Sequence, residues 1–187
     1  MNHSTESPAA MAVRLSQAKA RAALPDVHTG LIVAADTLVY LDGKVLGKPA
    51  SPTEAVDMLC CLRGRSHLVF SGVTLLDVQS GWKRTELAET TVWMRYYSDE
   101  EIAAYVASGD PLDKAGSYAI QYQDFSPVSR VDGCFANVMG LPLCHLYCML
   151  REVGLAPSAR PVAACDRFTG RTCRVALQIL GEAWRAE

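Results

Sequence analysis

The stretch Gly30-Leu-Ile-Val-Ala-Ala-Asp36-Thr37 decides the fold. A turn residue is followed by five apolar residues, and a carboxylate and a hydroxyl close the run. A continuous apolar run of this length predicts a β-strand buried on both faces of a sheet. An aspartate at the carboxyl end of such a strand lies where α/β sheets place ligands, but an aspartate that only caps a turn is an equally good interpretation. The strand continues toward Leu41, and Asp42-Gly43 is a hairpin signal.

Helices are predicted on both sides of this strand. The segment from Ala9 to Leu24 has apolar residues at helical spacing and is ended by Pro25. Ser51-Pro52-Thr53-Glu54 and Ser98-Asp99-Glu100-Glu101 each combine an N-cap serine with an acidic residue three positions later, which is typical of a helix start.

Further apolar and β-branched runs predict more strands, and two later segments predict helices. The strands are His67–Leu76, Thr85–Tyr97, Ser117–Gln123 and Pro127–Val131, and the helices follow Pro142 and span Arg174–Arg185. Strands therefore alternate with helices, and several strands are joined by short turns. The pattern predicts an α/β protein with a mixed sheet.

Composition limits the classes of function. The chain has 187 residues, half of them hydrophobic, and a net charge of −2, which fits one globular domain and argues against duplex nucleic acid as a partner. It lacks an apolar run long enough to span a membrane, and its polar N-terminus has no signal-peptide core, so the predicted location is the cytoplasm. The seven cysteines form no CxxC pair, which favours reduced thiols. Cys144-His145-x-x-Cys148 allows a metal site, but one helix face in the core is the better interpretation.

Three polar segments are candidates for a site. They are the Asp36-Thr37 strand end, Gly47-Lys48-Pro49, and Asp113-Lys-Ala-Gly-Ser-Tyr-Ala-Ile-Gln121. One carboxylate and several lysines beside small-residue turns suit metal-assisted chemistry on a phosphorylated ligand. The P-loop and GxGxxG patterns are absent, which disfavours kinases and Rossmann dehydrogenases. His67 is expected to be a structural histidine with its hydrogen bonds satisfied.

Seven ordered blocks resemble the Maf family of nucleoside triphosphate pyrophosphatases, over about residues 6 to 155. The blocks are Arg14-Leu-Ser-Gln-Ala-Lys19-Ala, Ala34-Ala-Asp36-Thr37-Leu-Val, Asp42-Gly-Lys-Val-Leu-Gly-Lys48-Pro, Glu54-Ala-Val-Asp-Met-Leu, Leu62-Arg-Gly-Arg-Ser-His67-Leu-Val-Phe-Ser-Gly-Val73, Asp113-Lys-Ala-Gly-Ser-Tyr-Ala-Ile-Gln121 and Asn137-Val-Met-Gly-Leu-Pro-Leu143.

The resemblance implies hydrolysis of a nucleoside triphosphate to the monophosphate and pyrophosphate with a divalent cation, Mg²⁺ or Mn²⁺. It implies that Asp36 accepts a proton from the attacking water or holds the metal. Lys19 and Lys48 are expected to bind the phosphates, and Thr37 and Gln121 to set substrate choice. The block ending at Gln121 is similar to the branch acting on dTTP and UTP, although Tyr122 stands where the family usually has glycine.

The resemblance also implies a Maf/ITPase-like fold, an elongated mixed sheet flanked by helices in two lobes around a central cleft. We expect residues 1–155 to form this domain and residues 156–187 a helical extension. Homodimers are common in the family. Its members are linked to removal of unwanted nucleotides and to arrest of cell division.

One departure concerns the N-terminus. Family members begin with an apolar strand, a Ser-x-Ser-Pro-Arg-Arg loop and an acidic residue, whereas Ser4-Thr5-Glu6-Ser7-Pro8 is no substitute for them. The expectation is an N-terminally incomplete domain. The alternative to an enzyme is therefore a catalytically weak or inactive protein that binds a nucleotide or a partner.

Overall fold

The computed structural model describes residues 6–181. Its helices and strands, in chain order, are α1 (Pro8–Ala22), β1 (Leu31–Leu41), β2 (Lys44–Leu46), α2 (Pro52–Leu62), β3 (Ser66–Asp77), β4 (Lys83–Met94), α3 (Asp99–Ala107), β5 (Val128–Asp132), α4 (Phe135–Val138), α5 (Leu143–Glu152), α6 (Pro161–Thr169) and α7 (Ala176–Leu180). Three short 3₁₀ turns lie at Leu24–Asp26, Asp110–Asp113 and Ala115–Ser117. No helix within residues 6–181 is long and apolar enough to cross a membrane.

The five strands form one sheet in the order β2-β1-β3-β4-β5. The α/β class with helices around a central sheet is confirmed, but every pairing among the described strands is antiparallel rather than mixed. The reason is the hairpin at Asp42-Gly43. It reverses the chain before α2, so the two strands that α2 connects, β2 and β3, run in the same direction on opposite sides of β1. Helix α2 therefore connects two strands that are not neighbours in the sheet.

The helix starts follow the predicted capping. Ser51 accepts a hydrogen bond from the backbone of Glu54 at 3.2 Å. Ser98 and Glu101 form a complete capping box at the start of α3. Each cap satisfies backbone donors that a helix leaves unpaired in its first turn.

One predicted strand is wrong. Ser117–Gln123 forms a 3₁₀ turn and irregular backbone, because Gly116 and Ser117 both have positive φ angles, 69° and 60°. An extended strand cannot pass through two successive left-handed residues. The predicted final helix is shorter than expected, since α7 ends at Leu180. The part of that prediction beyond residue 181 lies outside the described residues.

Helix α1 covers one face of the sheet, here called the α1 face, which carries Leu38 and Phe70. The crossing is close because residue 72 is glycine. A Cβ atom there would lie 2.4 Å from the carbonyl oxygen of Ala12 and 2.8 Å from Oγ of Ser16. Gly72 therefore lets the helix backbone lie directly on β3.

The opposite face carries two apolar clusters. At one end, α2 and α3 pack on Val39, Val69 and Val92. At the other end, α5 packs on Val73 and Leu75 through Met149. Polar side chains lie between the two clusters.

Strand β1 is not buried on both faces as the apolar run predicts. Val33 is 43% exposed. On one side β1 pairs with β3 from Leu31 to Tyr40, but on the other side β2 pairs only with Val39–Leu41. Within the described residues, Leu31–Leu38 is thus an open sheet edge, and apolar residues that predict a central strand lie on it.

Candidate functional site

The end of the open edge carries Asp36 and Thr37. Because side chains alternate along a strand, the two residues lie on opposite faces of the sheet. Asp36 shares the α1 face with Leu38, and Thr37 shares the opposite face with Val39. The site that the sequence predicts as one dipeptide is therefore divided between two faces that meet at the edge.

On the α1 face, Asp36 forms an ion pair with Lys19 of α1. The Asp36 side chain is 14% exposed and the Lys19 side chain 57% exposed. Lys19 Nζ also donates to the carbonyl oxygen of Ala35 at 3.2 Å. The geometry joins two of the predicted site residues, which are separated by 17 positions in the chain. It presents a largely buried carboxylate paired with a more exposed cation.

On the opposite face, Thr37 lies in a polar row. Its Oγ1 is 2.7 Å from Oγ of Ser71 and 3.4 Å from the carbonyl oxygen of Gly140. Ser71 in turn donates to the carbonyl oxygen of Asn137 at 3.2 Å. The Thr37 hydroxyl is therefore engaged with the protein and is half-buried.

Lys48 is exposed in the segment after β2. The backbone there is tied to the 113–121 segment, since Gly116 N donates to the carbonyl oxygen of Gly47 at 3.0 Å. A hydrogen bond from Lys114 lowers the pKa of Asp113, and the nearby charge of Lys48 adds to that effect. Two cations and a carboxylate thus lie together beside the β2 end of the sheet.

Gln121 lies elsewhere. It is exposed and lines a groove of about 890 Å³ formed by the 120–136 region and the 162–175 region. The side chains lining this groove include none of Lys19, Asp36, Thr37 and Lys48. The structure therefore pairs Lys19 with Asp36 and places Gln121 in the lining of this groove.

The sequence reasoning missed Asn137 as an organiser of the polar row. Asn137 is fully buried, and its Nδ2 donates to the carbonyl oxygen of Val69 at 3.1 Å and to Oγ1 of Thr90 at 2.9 Å. Its Oδ1 has no hydrogen-bond partner. A polar amide before the apolar start of α5 was the available signal, because a buried amide must find partners.

His67 is structural, as expected, but only half satisfied. Its Nε2 lies 2.8 Å from the hydroxyl of Tyr118, and its Nδ1 is buried without a partner. Burial lowers the pKa of His67 to about 4, because the charged imidazolium is poorly solvated there. The pair anchors the 113–121 segment to β3.

The arginines beside the end of α2 are engaged with protein groups. Arg63 pairs with Asp99 at 2.8 Å and donates to the carbonyl oxygen of Tyr97 at 3.1 Å. Arg65 forms an ion pair with Asp42. These contacts tie both guanidinium groups to other parts of the protein.

Among residues 6–181, no group of three or more histidine, cysteine or acidic side chains is placed to hold a metal ion. The Cys144–His145–Cys148 metal interpretation therefore has no support within that range. Cys144 is buried and Cys148 half-buried on α5.

An antiparallel sheet between helices, with Asp36 and Lys19 paired beside its open edge, defines an α/β protein. The chain belongs to the Maf-like protein family, whose model matches residues 1–153.

The chain is also similar to several curated proteins that share one name. A protein of Dehalococcoides mccartyi named dTTP/UTP pyrophosphatase is 43% identical over 150 residues, which is 80% of this chain and 67% of the relative. A protein of the same name from Methanosarcina barkeri is 44% identical over 80% of this chain and 76% of its own length. Another of that name, from Carboxydothermus hydrogenoformans, is 44% identical over 79% of each chain.

Proposed function

We propose that the protein hydrolyses nucleoside triphosphates to the monophosphate and pyrophosphate, with dTTP and UTP as its substrates. The relatives named above support this substrate class. The observation that carries the proposal is the Asp36–Lys19 pair at the open end of β1, inside the region matched by the family.

The reaction needs a nucleophile at the α-phosphorus. Water attacks that phosphorus, the bond to the oxygen bridging the α- and β-phosphates breaks, and pyrophosphate leaves. Asp36 is proposed to accept the proton that the water loses, because a carboxylate can act as a general base. Lys19 is more exposed than Asp36 and has a flexible stem, so its ammonium group can move toward a phosphate and offset negative charge.

Lys48 is proposed as the second phosphate cation. It is exposed on the β2 side of the sheet, next to Asp113 and Lys114. A triphosphate bound along the open edge of β1 would have Lys19 toward one face of the sheet and Lys48 toward the other. Backbone N–H groups of the unpaired edge are further donors to phosphate oxygens.

A divalent cation fits this donor set when it arrives with the nucleotide. Mg²⁺ is commonly held by one or two carboxylates together with substrate phosphates and water, and Asp36 supplies one such carboxylate. When bound, the cation would neutralise charge on the phosphates.

Base recognition is proposed for Gln121, because a side-chain amide both donates and accepts hydrogen bonds and so matches a pyrimidine edge. Thr37 is proposed to affect substrate choice through the polar row that it shares with Ser71. Gln121 lines the groove, so in this proposal the base lies in the groove while the phosphates lie at the sheet edge.

The test is pyrophosphate release from dTTP, UTP, CTP and 7-methyl-GTP with Mg²⁺ or Mn²⁺. Asp36→Asn should abolish release, and Asp57→Asn, the same change at an exposed carboxylate of α2, should leave it intact. If a folded protein releases pyrophosphate from none of the four nucleotides, the proposal is wrong. The protein would then be a non-catalytic binding protein.

A further inference from the structure

Four of the seven cysteines line one groove. They are Cys134 at the start of α4, Cys144 in the first turn of α5, Cys165 in α6 and Cys173 in the loop after α6. The first two lie within the family match, which ends at residue 153, and the last two lie beyond it. The 156–181 segment therefore brings two thiols to two thiols of the domain.

Contacts of neighbouring residues place these segments against each other. The rings of Phe135 and Phe168 lie 6.2 Å apart, which joins the start of α4 to the end of α6. The backbone N–H of Cys173 donates to Oδ1 of Asp166 at 2.8 Å, so the loop folds back along α6. Cys134 and Cys173 are thus drawn to the same wall of the groove.

The thiols also influence each other electrostatically. Burial raises the pKa of Cys134, and the charge of a Cys173 thiolate raises it further. The pKa of Cys144 is raised to about 12, chiefly by burial. The charges of the thiolates of Cys134, Cys173 and Cys165 also raise it, in that order of size. Burial, then Cys134 and Cys173, raise the pKa of Cys165. Every pair among the four is therefore close enough to interact.

This cluster does not have the arrangement of a metal site, since the described residues contain no metal-holding group of three or more such side chains. Pairwise thiol chemistry is the alternative. A disulfide needs its two Cβ atoms at a specific separation and orientation, so backbone freedom decides which pair can close. Cys144 and Cys165 lie inside helices, where the Cβ direction is fixed. Cys173 lies in a loop, whereas the backbone of Cys134 is held by hydrogen bonds with Thr90, so closure depends on movement of the Cys173 loop toward Cys134.

We propose that Cys134 and Cys173 form a reversible disulfide under oxidation, which fastens the C-terminal extension to the Maf-like domain across the groove. This inference is independent of the nucleotide chemistry proposed above. The oxidant is a peroxide. Cys173 is half-buried and Cys134 is 6% exposed, so the peroxide reaches Cys173 first.

The chemistry balances with one peroxide per disulfide. The Cys173 thiol gives up its proton and its sulfur attacks one oxygen of the peroxide. The O–O bond breaks and the leaving hydroxide takes up that proton, so a sulfenic acid and one water result. The Cys134 sulfur then attacks the sulfenic sulfur, the S–O bond breaks, and a second water leaves. The two thiols are oxidised, the peroxide is reduced, and a thiol reductant reverses the product.

The experiment uses the full chain with Cys60→Ser and Cys61→Ser, because these two exposed thiols would form intermolecular bonds. The protein is treated with hydrogen peroxide, and its disulfides are mapped by mass spectrometry of peptides prepared without reductant. The expected result is a peptide pair that joins Cys134 to Cys173. The oxidised protein should also melt roughly 5–10 °C higher than the reduced protein.

Cys173→Ser should abolish both effects, and Cys148→Ser, which changes a half-buried thiol outside the groove, should abolish neither. Cys134→Ser tests the other partner, and mapping of the parent protein keeps the test valid if this variant fails to fold. Three results would overturn the proposal. They are four free thiols in the groove after peroxide treatment, a disulfide between a different pair of cysteines, and zinc that co-purifies with the protein and is lost in Cys173→Ser.

Discussion

Acid should destabilise this protein through His67. The pKa of this side chain is about 4 in the folded state, against an ordinary value of 6.5. Between those two pH values the unfolded chain binds a proton that the folded protein does not, so stability falls as the pH decreases from 6.5 toward 4. The full difference corresponds to about 3 kcal/mol.

In the window from pH 7 to pH 5 most carboxylates stay ionised. Burial also lowers the pKa of His145, so that side chain adds a loss of the same sign, and a control variant is needed to isolate His67. Over that window the His67 contribution amounts to a loss of about 2 kcal/mol in the free energy of unfolding. Urea unfolding at both pH values measures it. The control is His67→Phe combined with Tyr118→Phe, which removes the titrating group and its hydrogen-bond partner together, so that neither is left buried and unpaired.

The expected result is a loss about 2 kcal/mol smaller in the double variant than in the wild type. An equal loss in both proteins would refute the reasoning. So would an NMR titration that gives His67 in the folded protein a pKa near 6.5.

Three further outcomes follow from the structure. Gly72→Ala should lower the free energy of unfolding by about 1–3 kcal/mol, measured by chemical denaturation, since its methyl group would meet the α1 backbone. The control Gly47→Ala should have little effect, because residue 47 has open space around it and no positive φ. Ser98→Ala should cost about 1 kcal/mol by removing the cap of α3, and a melting temperature unchanged from wild type would contradict the capping role. Lys19→Met should reduce pyrophosphate release about 10²-fold, because the proposed role of Lys19 is charge stabilisation with Asp36. The melting temperature should stay close to that of wild type, because the side chain is mostly exposed. Full activity of the variant would show that Lys19 is not part of the site.

Local signals in the sequence were enough to predict most elements. Ser51 and Ser98 carry the cap in their own side chains, and Asp42-Gly43 specifies its hairpin through two positive φ angles. The β1 strand follows from its apolar run. In each case the cause lies within a few residues of the effect.

The wrong predictions depend on longer-range causes. Tyr118, Ala119 and Ile120 have the composition of a strand, but the positive φ angles before them and the hydrogen bond from the Ala119 amide to Tyr105 Oη fix a turn instead. The prediction of a mixed sheet was wrong because the local pattern does not show that β1 lies between β2 and β3, the two strands that α2 connects.

The candidate site shows the same division. The sequence singles out Asp36 and Lys19 as candidates, and the alternation of β1 implies that Asp36 and Thr37 diverge. The partner of Asp36 depends on how α1 lies across the sheet, which Gly72 permits from a third segment. The position of Gln121 in the groove depends on the turn that replaced the predicted strand.

The half-paired state of β1 has a consequence for the exchange of its amide hydrogens with solvent. In an antiparallel ladder, successive N–H groups of a strand point alternately to its two sides. Along Leu31–Leu38 every second amide therefore faces β3 and is protected, while the amides between them face the open edge. In deuterated water the amide hydrogens along this strand should exchange slowly and quickly by turns. This alternation should end at Val39, where β2 begins to pair with β1.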